Sequence, residues 1–557
     1  MKTNKKLFKI KSKTKFRVLI VYPNLPLMLV PSIAVGLFTR ILKANGYVVE
    51  LFETTHYLSD EVLSSEKRQE MLNWRDFDVS EDLGIEIKKD MMGDFRKKVL
   101  SFKPDFLVFS AVEDAFLQAV KLLGHIRELE IPHIIGGVFP TFAPDQCFQY
   151  PEVNFIGLGE GENVIVEAAE AVRKNDSLHN IMGTWFRDKK GKIHKNPKDP
   201  LVDINKFTPD FSLFEESRFY RPMGGRVFKM IPVETFRGCP FSCTYCNSPS
   251  QRTFSKENGI GNFLRRKTIK NLREELKSYQ KIYDPQFFYF VDDVFLARPR
   301  DEIFEFCDMY EEFGLPFWFN TRSENCETDT LERLREVGCY RISFGIECGN
   351  EQFRQKVLRR KITNSEIIRR FNEIIAESGI AFSLNVIIGM PGETRELVMD
   401  TVDLIRSIKG YDALTVSIFT PYHGTALRDV AVRNRWLEKD SITTHTTSQS
   451  MLDMPKPYLN VEEIDGLAAT FPLYTYFPKS EWGEIRRAEH GDAEGLKIRT
   501  KYSKIYKEEF LGEHQDTNLG IKIEGTTGCR TNPKDAFRIS PKRLDLEMIE
   551  LLTTKTI

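Results

Sequence analysis

Residues Arg237–Pro249 read "RGCPFSCTYCNSP", which puts three of the chain's nine cysteines, Cys239, Cys243 and Cys246, inside eight residues. The spacing is C-x3-C-x2-C on a loop containing glycine and proline, and such a loop can curl its thiolates around one metal centre. A structural zinc site closes with four ligands, and an iron–sulfur cube also usually takes four cysteines. Three thiols with no histidine beside them leave one position open, and an open position is where a substrate binds. Completion of a zinc site by a distant Cys326 or Cys348 is the competing reading.

Around this loop runs an alternating series of strand and helix patterns. The strand candidates are "VETFRG", just before the cysteines, then "FFYFVDD", "FWFNTR", "RISFGIE", "FSLNVIIG" and "LTVSIFTP". One helix opens at Thr363 with Glu366 in capping-box position. Six strand–helix units are too few for a closed eight-stranded barrel, so the expected fold is a partial (β/α)6 barrel of TIM type. Asp292, Asp293, Arg322, Glu347, Gly389 and Pro421 fall at the carboxyl ends of its strands, the edge that carries chemistry in such barrels. Each has a plainer reading: Asp292 and Asp293 as caps of the next helix, Glu347 and Arg322 as ion-pair partners.

Upstream, "RVLIVY", "VVELFE", "DFLVFSA", "HIIGGV" and "NFIGLG" alternate with helical patterns between Phe16 and Lys174. This order predicts a doubly wound, Rossmann-like parallel sheet covered on both faces. Ligands bind beyond the carboxyl ends of such strands, here the loops after Tyr22, Ser110, Gly137 and Gly159. "TWFRDKKGKIHKNP" reads as a hairpin in a connector. After about Val432 the pattern is helical and aromatic, and Tyr474, Tyr476 and Trp482 are either pocket-lining or core residues there.

The bulk composition sets limits. The chain has 557 residues, 41% hydrophobic and 29% charged, with 80 basic against 80 acidic side chains. Balanced charge gives no global case for a nucleic-acid partner. The longest apolar run, Leu25–Phe38, is too short to span a bilayer and is broken by Pro26 and Pro31. Without a signal-peptide core in the basic start, the expectation is a cytoplasmic protein with no membrane span. An odd, irregular cysteine set does not form a disulfide framework.

"CPFSCTYC" resembles the cluster-binding motif of the radical S-adenosylmethionine (radical SAM) superfamily. The resemblance implies a 4Fe–4S cluster on Cys239, Cys243 and Cys246, with S-adenosylmethionine on the fourth iron and a 5′-deoxyadenosyl radical as the reactive product. It implies cofactor contacts from Tyr245, Asp292, Asp293 and Arg322. "ISFGIECGNE" resembles the fourth-strand motif and adds Glu347. "LNVIIGMPGET" resembles the fifth-strand glycine motif and adds Asn385 and Gly389. "FTPYHGTAL" resembles the turn after the sixth strand. No catalytic side chain is implied beyond the cluster and cofactors.

The N-terminal region resembles the cobalamin-binding domain that precedes many radical SAM cores. "FSAVED", "IIGGVFPTFAPD" and "GLGEGEN" carry the likeness, which implies cobalamin contacts from Ser110, Ala111, Val112, Gly136, Gly137, Gly159 and Glu160. Glu160 and Glu162 can equally cap the helix near Asn163. The loop after the first strand lacks the cobalt-binding histidine of the methionine-synthase type, and His125 and His133 are poor replacements. The implied domains are 1–15 (basic tail), 16–185 (cobalamin-binding-like), 186–229 (linker), 230–432 (radical SAM core) and 433–557 (helical). The implied function is a class B-like, cobalamin-dependent methyltransferase acting on an unactivated carbon of a small molecule, fed by an electron donor such as flavodoxin or ferredoxin. A radical rearrangement or oxidative cyclisation is the rival enzyme reading, and a non-catalytic iron–sulfur or zinc protein the rival of another class.

Overall fold

The computed structural model describes residues 11–58, 64–73, 85–223, 226–443, 445 and 448–511. The first ten residues of the basic tail and the final stretch with Cys529 lie outside these. The chain divides into two compact units. The first draws on residues up to 58, 85–218 and 254–263; the second on 64–73, 219–253 and 264 onward.

The first unit is built on a seven-stranded sheet: β1 (Arg17–Tyr22), β2 (Val48–Glu53), β3 (Phe106–Ser110), β4 (His133–Gly136), β5 (Phe155–Gly157), β6 (Thr184–Arg187) and β7 (Ile193–Lys195), in the order β2-β1-β3-β4-β5-β6-β7. The first five pair in parallel, and the apolar runs of β1, β3, β4 and β5 are buried, while the edge strand β2 leaves Val48 exposed. The helix Ile33–Ala44 starts on a Ser32 cap and ends before Gly46, whose φ of +85° suits a residue without Cβ. The hairpin β6–β7 does form, and it adds antiparallel to β5, so this part of the connector belongs to the sheet.

The second unit holds β8 (Tyr220–Met223), β9 (Arg226–Val233), a two-stranded pair β10 (Phe236–Arg237) and β11 (Arg265–Arg266), and then β12 (Phe287–Phe290), β13 (Phe317–Thr321), β14 (Cys339–Glu347), β15 (Ala381–Ile388) and β16 (Ala413–Ile418). The large sheet runs β16-β15-β14-β13-β12-β9-β8. Six parallel strands in chain order make the expected partial barrel, and β8 adds an antiparallel edge. The first barrel strand is Arg226–Val233 rather than "VETFRG"; Pro232 interrupts the pattern of this run, as proline does in a strand.

One face of this sheet packs on helices: Phe290 and Phe317 meet Phe306 at ring distances of 5.2 and 5.9 Å, and Phe344 meets Phe371 at 5.1 Å. The alternate residues, including Tyr289, Trp318, Asn320, Ser343 and Asn385, point to the other, inner face. The C-terminal region is helical, as expected, with Val461–Tyr476 opened by an Asn460/Glu463 capping box. Tyr474 and Tyr476 are buried there among Trp482 and Tyr506, as core rather than pocket residues.

Candidate active site

The cysteine loop leaves the carboxyl end of β9. Asp292, at the end of β12, anchors its root: Oδ1 accepts from the backbone N–H of Thr235 (2.7 Å) and Phe236 (3.0 Å), and Oδ2 from the Thr235 hydroxyl and Arg298 Nη2 (2.8 Å). Its carboxylate is thus committed inside the protein. The next helix begins at Arg300 on a Pro299 cap, so neither Asp292 nor Asp293 caps it. Asp293 is open to solvent at the same strand end.

Cys239 and Cys243 are buried and Cys246 is half-buried. Burial pushes the Cys239 thiol up to about 11 and the Cys246 thiol up to about 12. A cationic iron centre reverses that preference, because a metal deprotonates its thiol ligands outright. Arg322 stacks over the Phe241 ring at 3.8 Å, donates from Nη1 to Cys243 Sγ at 3.8 Å, and ion-pairs with Glu324. The salt-bridge reading of Arg322 therefore describes its partner, and the cysteine contact is additional. Among the described residues no three His, Cys, Asp or Glu side chains converge on a single ion. A cube takes each thiolate on a separate iron, and three thiols on one loop supply three of its four corners. Cys326 and Cys348 lie against the Arg322 and Asn350 carbonyls. The donor set fits a cluster.

Glu347 ends β14 with a left-handed φ of +65°, and the register against β15 slips between Gly345 and Glu347. A slip of this kind re-aims a side chain. Glu347 Oε1 accepts from Arg360 Nη1 at 3.1 Å and from the Tyr245 hydroxyl at 3.3 Å, while Arg360 Nη2 holds the Gly345 carbonyl at 2.7 Å. Burial raises the Glu347 carboxyl, and Arg360 opposes that shift. The ion-pair reading of Glu347 thus holds, and it ties Tyr245 of the cysteine loop to the fourth strand. Sequence reading missed Arg360; its run, "LRRKITN", carries no distinguishing spacing.

On β15, Asn385 Nδ2 donates to Ser343 Oγ (2.9 Å) and the Phe344 carbonyl (3.1 Å). Gly389 (φ +78°) gives its N–H to Glu393 Oε2 at 2.6 Å, and Met390 adds a second at 3.2 Å. Glu393 is fully buried, its other oxygen has no partner, and burial pushes its carboxyl up to about 8.

In the first unit the loops after β3, β4 and β5 lie side by side. Gly137 has φ +138°, and a Cβ on it would fall 2.1 Å from the Ala111 carbonyl oxygen. A Cβ on Gly136 would meet nothing within 4 Å. Thr141 ties two loops together, donating to the Gly137 carbonyl (2.8 Å) and accepting from Gly159 N–H (2.9 Å). Ser110 is half-buried, Val112 is 49% exposed at the same edge, and Glu160 accepts from Val202 N–H at 2.9 Å instead of capping the Val164–Lys174 helix. Backbone at Gly136 that nothing crowds within 4 Å, beside an exposed apolar side chain, is compatible with the close approach of a nucleotide-tailed cofactor.

The loop after β1 is held by Arg218, fully buried, which donates to the carbonyls of Leu29 (3.0 Å), Met28 (3.3 Å) and Val30 (3.2 Å) and ion-pairs with Glu53. His125 ends the helix that begins at Glu113, and His133 begins β4, so both lie at the edge away from the ligand loops.

Comparison with known proteins finds two domain matches. Residues 233–405 match the radical SAM superfamily and residues 69–169 the B12 binding domain. The chain joins a B12-binding domain to a radical SAM domain. The radical SAM domain implies S-adenosylmethionine and a 4Fe–4S cluster, and the B12-binding domain implies cobalamin. The anaerobic magnesium-protoporphyrin IX monomethyl ester cyclase of Rubrivivax gelatinosus is 27% identical over 339 residues, 59% of this chain and 58% of that relative. The cytidylyl-2-hydroxyethylphosphonate methyltransferase of Streptomyces wedmorensis is 22% identical over 503 residues, 81% of this chain and 88% of its own. The radical SAM fold behind a B12-binding sheet is shared with two solved structures. One is the cobalamin-dependent S-adenosylmethionine radical enzyme OxsB (TM-score 0.59, 15% identity, 90% of this chain and 74% of that one). The other is the radical S-adenosylmethionine methyltransferase TsrM from Kitasatospora setae (TM-score 0.54, 17% identity, 83% and 84%). Among the described residues, no helix is long and apolar enough to cross a membrane.

Proposed function

We propose that the chain is a cobalamin-dependent methyltransferase that acts on an unactivated carbon of a small molecule and draws electrons from a reductant such as flavodoxin or ferredoxin. The observation that carries this reading is the pairing of the two cofactor domains in one chain, each with a cradle of its own. The methyltransferase relative supports it because the match extends over most of both chains. When bound, the cluster with S-adenosylmethionine supplies hydrogen-atom abstraction, and cobalamin supplies a transferable methyl group.

The chain's own residues bind and orient. Cys239, Cys243 and Cys246 would hold three irons and leave the fourth to S-adenosylmethionine. Arg322 donates to the Cys243 sulfur, and the Tyr245–Glu347–Arg360 group fixes the loop against β14. Asn385 and Gly389 would face the adenosine part of S-adenosylmethionine, with Glu393 holding the Gly389 backbone in place. Ser110, Ala111, Val112, Gly136, Gly137, Gly159 and Glu160 would border the cobalamin.

A cyclisation is the second reading, favoured by the cyclase relative. Mass spectrometry of products from the reconstituted enzyme separates the two. A methylated product with S-adenosylhomocysteine in step supports methyl transfer, and a dehydrogenated ring without it supports cyclisation.

A further inference from the structure

Inside the half-barrel, Tyr289 of β12 and Trp318 of β13 stand in register and stack, with ring centroids 4.2 Å apart and planes 11° from parallel. Arg221 of the edge strand β8 lies over both, its guanidinium carbon 5.4 Å from the Tyr289 ring and 5.6 Å from the Trp318 ring. Asn320 Nδ2 donates to the Tyr289 hydroxyl at 3.2 Å and fixes that ring. Aromatic faces attract a guanidinium and hold it in place. They do not satisfy its donors.

Two donors here have no acceptor. Arg221 Nη1 and Trp318 Nε1 are both buried without a hydrogen-bond partner, and among the described residues no carboxylate pairs with Arg221. Buried polar groups in folded proteins nearly always find a partner, so two adjacent exceptions call for an explanation. A second cation stands nearby. The segment 64–73 docks on the free edge of β16 through Asn73, whose side-chain amide donates to the Val416 carbonyl at 2.9 Å and accepts from the Val416 N–H at 2.8 Å. This brings Arg68 close enough for the Arg221 charge, added to burial, to lower it to about 10, and Arg68 in turn adds to the burial that lowers His445 to about 4.

We propose that this lumen binds an oxyanion, a phosphate, phosphonate or carboxylate group of the small-molecule substrate, with Arg221 as its main ligand and Trp318 Nε1 as a second donor. The guanidinium fork matches such groups, and bonds to a charged acceptor are about twice as strong as neutral ones. An anion beside Arg221 also offsets the repulsion between Arg221 and Arg68. The proposal rests on the reading that the enzyme acts on a small molecule, and it narrows that molecule to an anionic one.

The test is thermal unfolding of the full-length chain in sodium phosphate, sodium acetate and sodium chloride at equal ionic strength, which needs neither cluster nor turnover. Its outcome is therefore separate from that of the methyl-transfer reading. We expect a saturable rise in Tm with phosphate or acetate above chloride, since a ligand that binds only the folded state stabilises it. A larger rise with phosphate identifies a dianion, and a larger rise with acetate a carboxylate; either supports the site. Arg221→Met should abolish the rise and, in chloride, melt no lower than wild type, because it removes a buried cation that lacks a counter-ion. Trp318→Phe keeps the stacked ring, removes the second donor, and should shrink the rise several-fold. No rise in wild type, or an equal rise in Arg221→Met, would overturn the proposal.

Discussion

Arg360 and Glu347 meet at 3.1 Å although they lie on different turns of the chain, one after the fourth barrel strand and one at its end, where the backbone is left-handed. A glutamate in that conformation is strained by about 1 kcal/mol or more. The contact with Arg360 and Tyr245 is what holds it there. Arg360→Met strands a buried carboxylate, and we expect a loss of about 3 kcal/mol in urea unfolding, the cost of breaking a buried pair from one side. The double variant Arg360→Met with Glu347→Met should recover most of that stability while S-adenosylmethionine binding stays weak by equilibrium dialysis. Equal stability of the single variant and wild type would sink the idea.

Glu393 gives a pH signature. Its folded-state carboxyl stands at about 8 because it is buried, so the folded chain keeps a proton that the unfolded chain releases in the ordinary carboxylate range. The stability it contributes is full in acid and falls as pH rises toward about 8. Glu393→Gln cannot titrate, so its stability relative to wild type should improve across that window, by on the order of a few kcal/mol. Urea unfolding at several pH values measures this; parallel curves for the two proteins would refute it.

Two neighbouring glycines separate folding from cofactor binding. Gly137→Ala drives a Cβ into the Ala111 carbonyl, 2.1 Å away, and should cost several degrees of Tm. Gly136→Ala meets nothing within 4 Å, so Tm should hold while cobalamin retained on a gel-filtration column drops. Retention unchanged in Gly136→Ala would place the corrinoid elsewhere.

Asp292 accepts four hydrogen bonds at the root of the cysteine loop, and its ion pair with Arg298 is buried. Asp292→Asn should lower Tm and the iron bound per chain together. A normal iron content at reduced Tm would show that the loop does not depend on this anchor.

Most of this architecture was legible from local pattern. The five parallel strands of the first sheet and the later barrel strands carry apolar runs of the right length, and the cysteine spacing marks the loop directly. What local pattern could not give were partners far apart in the chain. Arg218 serves a loop nearly two hundred residues earlier, and Asn73 stands in for a strand beside Val416. Both are single polar side chains in unremarkable surroundings, and only the folded register gives them a role. β9 was hidden by Pro232, which reads as a break. Asp292 reads as a cofactor contact at a strand end, and only the fold shows that its carboxylate also holds the backbone of Thr235 and Phe236.

The most direct test is iron and sulfide analysis with electron paramagnetic resonance of the anaerobically reconstituted, dithionite-reduced chain, with and without S-adenosylmethionine. We expect about four irons per chain and a reduced-cluster signal that changes when S-adenosylmethionine is added, both lost in Cys239→Ala, Cys243→Ala and Cys246→Ala and kept in Cys147→Ala. A signal indifferent to S-adenosylmethionine, or iron retained after all three cysteines are replaced, would contradict an open-cornered cluster on this loop.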